Sequence, residues 1–146
     1  MAKYVWGKWI RVKFWHTWIL PNQTTWWVIH TKSNPISVRP EPNTDKRLYV
    51  AEMDKSENLL REAVLPDTFE AQLTAGKCIK VPMIDVRTGS GLDGEIYGIE
   101  IPSGVMGFGS YKMSWWGNSP EEWRELANWY HKTVSDLKQI LDDANA

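Results

Sequence analysis

The chain has 146 residues, 42% of them hydrophobic and 24% charged, with 17 Lys and Arg against 18 Asp and Glu and a formal net charge of −1. That length suits one domain with a real core, and the composition lies far from the polar, highly charged range of disordered chains. A near-neutral balance sets up no long-range field toward phosphate or an anionic membrane surface, which disfavours nucleic acid as a partner, and no run of about 18 apolar residues offers a membrane-spanning helix.

Cys78 is the one cysteine, so no internal disulfide can form. The Lys-containing start of the chain lacks the unbroken apolar stretch of a signal peptide, and the two features together point to the cytoplasm. Tryptophan is the unusual component: ten residues, six of them between Trp6 and Trp27. Lys3, Lys8, Arg11, Lys13 and His16 interleave with four of these, Trp6, Trp9, Trp15 and Trp18, a pattern able to stack bases beside phosphates. With no net positive charge behind it, the pattern reads better as an amphipathic strand with a solvated basic face.

From Trp9 to Leu20 the residues alternate, Ile10, Val12, Phe14, Trp18 and Leu20 on one side and Arg11, Lys13, Trp15 and Thr17 on the other, which is the period of a half-buried strand. Pro21-Asn22-Gln23 supplies a turn, and Thr24 to Thr31, with Trp26, Trp27, Val28 and Ile29, completes an antiparallel hairpin. Ser33-Asn34-Pro35 turns the chain, Ile36 to Val38 offers a short strand, Pro40 to Asn43 a rigid connection, and Arg47 to Met53 a further strand.

Leu59, Leu60, Ala63 and Val64 recur at helical spacing up to Pro66, which predicts one short helix. Pro66 then opens a second over Asp67 to Thr74, with Gly76 as its stop. Lys77 to Val86 reads as a strand interrupted by Pro82, and Gly94 to Ile101 and Phe108 to Trp116 as two strands joined around Pro102-Ser103-Gly104. Ser119, Pro120 and Glu122 form a capping-box pattern that fixes the start of the C-terminal helix near residue 119. Trp123, Leu126, Ala127, Tyr130, Val134, Leu137 and Leu141 share one sector of that helix, with Trp129 and Ile140 on its shoulder. The expected fold is a single α+β domain over residues 1–146: an antiparallel sheet made of the N-terminal hairpin and later strands, with the C-terminal amphipathic helix and one or two short helices packed on it.

Signatures of chemistry are few. Gly89-Ser90-Gly91-Leu92-Asp93-Gly94 matches the dinucleotide fingerprint, but the alternating run from Glu95 to Ile101 follows it where a helix is required, so a glycine-rich connection is the better reading. His16, His30 and His131 lie far apart; a cross-strand meeting of His16 and His30 on the hairpin would still give two ligands where zinc needs three or four. Among Asp85, Asp93, Glu95 and Glu100, alternation places Glu95 with Tyr97 and Glu100 on the other face, so an acid–base pair is not expected. Nucleophile-elbow and phosphate-loop motifs are missing, and no metal, cofactor or catalytic residue is implied.

The stretch from about Gly91 to Leu141 resembles small bacterial proteins of uncharacterised function. Its elements are the Leu92-Asp93-Gly94 turn, the strand Tyr97 to Glu100, the aromatic strand Tyr111 to Trp116, and a helix with Pro120, Trp123, Leu126 and Leu137; Leu65-Pro66-Asp67-Thr68-Phe69 also looks similar. Some proteins of this kind resemble immunity proteins, which neutralise a toxin by occupying its surface. The resemblance covers a third to a half of the chain and implies a fold more than a role.

Tryptophans beside basic residues have the composition of binding hot spots. Arg11, Lys13 and Trp15, continued by Trp26 or Trp27 on the paired strand, are therefore the expected partner-binding surface, accessible in the free protein; the competing reading assigns these indoles to the core. A non-catalytic protein-binding domain is expected, most concretely an immunity or inhibitor protein whose partner is a bacterial toxin. The alternative is a small-ligand carrier or enzyme with a pocket lined by Trp27, Tyr97, Trp115 and Trp116.

Overall fold

The computed structural model describes residues 10–19, 22–30, 48–82, 95–102 and 111–146. Among these residues six strands form one antiparallel sheet: β1 (Ile10–Ile19), β2 (Asn22–His30), β3 (Leu48–Met53), β4 (Leu59–Val64), β5 (Ile96–Ile101) and β6 (Tyr111–Trp116). Their order is β4-β3-β2-β1-β5-β6, so the first strand in sequence is an interior strand. Helix α1 (Phe69–Lys77) follows β4, and a 3-10 turn at Glu121–Trp123 leads into α2 (Arg124–Ala144). The α+β architecture is as the residue pattern implies, with one short helix and one long one on the sheet.

Register turns the alternation of β1 into two faces. On the inner face Val12 lies beside Val28, Val50 and Ala63, while Phe14 sits between Trp26 and Ile99 and His16 beside Tyr97. These apolar groups pack with Leu126, Ala127, Tyr130, Val134, Leu137 and Leu141 of α2, so the predicted helix stripe is the buried one. Trp123, the first residue of that stripe, is only partly buried, edge-on to Trp115 at 6.4 Å and donating from Nε1 to the Pro82 carbonyl at 3.1 Å. At the far end of α2, Asp142 accepts from Arg61 of β4, so the helix spans the sheet from β6 to the opposite edge. Tyr130 donates its hydroxyl to the backbone carbonyl of Trp15, tying the middle of α2 to β1.

Three expectations need correction. Residues 59–64 are a strand and not a helix. A turn held by the Asp54 carboxylate, which accepts from the amides of Ser56 (2.8 Å) and Asn58 (2.9 Å), with Glu57 at φ 62°, brings β4 back along β3. There Arg61 meets Glu52 at 2.9 Å, and the register shift after this pair sets Met53 opposite Leu59, leaving Leu60 as the extra residue of β4.

The capping box at Ser119 is not formed. Pro120 is extended (φ −52°, ψ 145°) and occupies the cap position of the 3-10 turn, so α2 begins a turn later. Lys77 ends α1, exposed Cys78 caps it, and Ile79 to Pro82 carry no strand. Leu20, Pro21, the segment from Ser33 to Arg47, the remainder of the proposed strand to Val86, the glycine-rich motif at 89–94, Asp85 and Asp93, the Ser103-Gly104 turn and Phe108 all lie outside the described residues, as do Trp6 and Trp9.

Candidate functional site

Pairing across β1 lays residues of the outer face in rows. One row runs Trp27, Lys13, Glu100, Lys112; the next runs Thr25, Trp15, Gly98, Ser114; a third runs Gln23, Thr17, Ile96, Trp116. The first two rows and the β3–β4 turn enclose a polar pocket of about 150 Å³, with Lys13, Trp15, Trp27, Glu100, Lys112 and Asp54 among its walls.

Each side chain has a local reason for its place. Trp15 lies over Gly98, where a Cβ would overlap the indole, so the glycine makes room for the ring. The ammonium of Lys13 stands 4.4 Å above the Trp27 ring and that of Lys112 5.1 Å above Trp15, so both cations are held on indole faces. Glu100 separates them in the row, giving alternating sign along neighbouring strands. Thr17 donates to Gln23 and Gln23 donates to Thr25, each at 3.3 Å. The turn amides and the Asn58 side chain hold the Asp54 carboxyl below its ordinary range. The pocket presents fixed donors and acceptors, with no histidine or cysteine among the described residues that line it. The lining is complementary to polar groups.

Three of the five residues expected to bind a partner, Lys13, Trp15 and Trp27, thus meet at one pocket. The expected accessibility of the indoles is not found: Trp15 is 9% exposed, Trp26 1% and Trp27 2%. Trp27 packs with Ile29, Tyr49, Ala51 and Met53 on the outer side. Trp26 lies on the inner face, where its Nε1 donates to Glu52 at 2.8 Å and Lys138 covers its ring at 5.2 Å. Arg11 also leaves the patch. A register shift between Ile10 and Val12 turns it toward α1, where it donates to both oxygens of Glu70 at 2.8 and 3.0 Å. Lys112, Ser114 and Trp116 were not anticipated as neighbours, and Trp116, 42% exposed, is the open indole of this face among the described residues.

The alternative Trp-lined pocket does not form, because Tyr97 and Trp115 face α2 while Trp27 and Trp116 lie on the other side of the sheet. The histidines rearrange as well. His16 pairs with Thr24 and His30 with Leu48, so the two do not meet across the hairpin. His16 instead stacks on Tyr97 at 4.6 Å, His131 of α2 sits edge-on to the same ring at 4.6 Å, and Glu95 accepts from the Tyr97 hydroxyl at 3.1 Å and lies 3.5 Å from His16 Nε2. Burial, first of all, lowers the pKa of both imidazoles; Lys138 adds to this at each, and His16 adds to it at His131. As the alternation implies, Glu95 and Glu100 stand on opposite faces. Among the described residues no group of three His, Cys, Asp or Glu is arranged to hold a metal ion, and no helix is long and apolar enough to cross a membrane.

Compared with protein-family models, curated proteins and solved structures, the chain matches none.

Proposed function

We propose that the chain is a non-catalytic protein-binding domain of the cytoplasm, and that its most concrete role is that of an immunity or inhibitor protein occupying a bacterial toxin. One observation carries this reading: the Lys13–Glu100–Lys112 row and the open indole of Trp116, two rows away, share the face turned away from α2. An exposed Trp on the same sheet face as patterned charge is the chemistry of a hot spot with a steering rim. The residues that recognise the partner are therefore Trp116, Lys112 and the pocket wall, with buried Trp15 and Trp27 acting from below by fixing the two ammonium groups. The lone Cys78, which excludes an internal disulfide, supports a reducing compartment.

The test is direct association with the product of the adjacent reading frame, measured by calorimetry on the purified pair. Trp116→Ala should weaken the complex by about 2 kcal/mol or more, and Lys112→Glu should slow association in a salt-dependent way, both with nearly unchanged melting temperature. Failure of the pair to associate removes the immunity role. A complex indifferent to both substitutions moves the interface off this face.

A further inference from the structure

The inner face of the sheet is not wholly filled. Between α1 and the first turns of α2 a half-open cavity of about 530 Å³ remains, floored by Val12, Ile99 and Met113 and walled by Leu73, Ile79 and Leu126. That volume falls within the roughly 300–1,000 Å³ typical of small-molecule sites. Trp129 closes the end between the helices: its ring lies against Gly76, and its Nε1 donates to the Gln72 carbonyl at 2.9 Å. Ile101 and Tyr111, also lining the cavity, are 47% and 39% exposed.

Among the described residues, two charged side chains line this cavity, Arg11 and Lys77. Arg11 is neutralised by Glu70, whereas Lys77, in the last turn of α1, has no ion-pair partner among the described residues. An apolar chamber with one uncompensated ammonium at its side is complementary to a molecule with an alkyl body and a single negative head. Neither a sugar nor a nucleotide suits it, since their hydroxyls would lose water to aliphatic walls.

We infer that this cavity binds an amphiphilic carboxylate, with the alkyl chain over Ile99 and Met113 and the head at Lys77. The site is independent of the proposed protein-binding face, which lies on the other side of the sheet. The ligand fills a chamber whose lining lacks dispersion partners, and its head keeps Lys77 and solvent as neighbours.

The experiment uses the full chain with methyl-labelled methionine, titrated with decanoate below its micelle concentration. The Met113 resonance, assigned by its loss in Met113→Leu, should shift saturably, while that of Met53, buried in the outer cluster, should not move. Lys77→Glu, a change at an exposed position, should weaken decanoate about tenfold or more, and decyltrimethylammonium should bind the native chain at least about tenfold more weakly than decanoate. The inference is overturned if Met113 does not respond, if Met53 shifts in parallel, if the cationic amphiphile binds equally well, or if Lys77→Glu leaves the affinity unchanged.

Discussion

Trp15 and Gly98 are a matched pair, and neither is explained without the other. Alternation along β1 places Trp15 beside Lys13, but nothing local says that β5 will lie next to it and offer a glycine there. A methyl group added at Gly98 has to displace the ring. Gly98→Ala should therefore cost about 1–3 kcal/mol in urea unfolding, as overpacking does. In a Trp15→Leu background most of that cost should vanish, because the two changes share one space. Additive penalties would mean that the indole does not occupy the room the glycine leaves. The same dependence on distant strands limited what could be read of the candidate site. Lys13, Trp15 and Trp27 follow from the hairpin alone, whereas Glu100, Lys112 and Asp54 arrive through β5, β6 and a turn after β3.

Strong periodicity was decisive for whole elements, and weak periodicity was not. The hairpin alternates over enough residues that its period is unambiguous, and α2 repeats its apolar stripe from Leu126 to Leu141. Residues 59–64 are only a turn and a half long, so a bulged edge strand and a short helix have the same apolar spacing; pairing with β3 decides between them. The start of α2 shows a related limit, since Pro120 fits both the first helical position and an extended cap. For α2 itself, Leu137→Ala should destabilise the fold by about 2–5 kcal/mol, since the side chain is fully buried and its removal leaves a cavity. Ser135→Ala, two residues away on the exposed side, should stay within about 0.5 kcal/mol. Comparable losses from the two substitutions would place the helix in the wrong phase.

At the scale of the molecule, acid should loosen the fold. His16, His30 and His131 all have pKa values lowered from the ordinary 6.5, in each case first by burial, with Arg11 adding to the effect at His30 and Lys138 at the other two. Glu95 opposes the shift at His16 and His131, and Glu70 at His30. The unfolded chain then binds more protons near its own histidine pKa, so stability is fully present above about 6.5 and declines as pH falls through that value toward the folded ones. The melting temperature should drop between about pH 7.5 and about pH 5.5, and His131→Gln should flatten the decline. A melting temperature unchanged over that interval would contradict the lowered pKa values of these three imidazoles.

The strand order carries a further consequence, for synthesis. Lys13 of β1 pairs on one side with Trp27 and on the other with Glu100, which the ribosome adds much later. Until β5 emerges, a nascent sheet of the first four strands would end in β1, with its amide and carbonyl row unpaired and Phe14 without the cover of α2. An unprotected edge of that kind is a template for pairing with another chain. The distant pairing also puts folding toward the slower end of the range for domains of this size, because the loop must close before its contacts can form. Completion of the last third of the chain is thus the step that seals the sheet's interior strand, so an incomplete chain exposes a strand edge at β1 that the finished protein pairs.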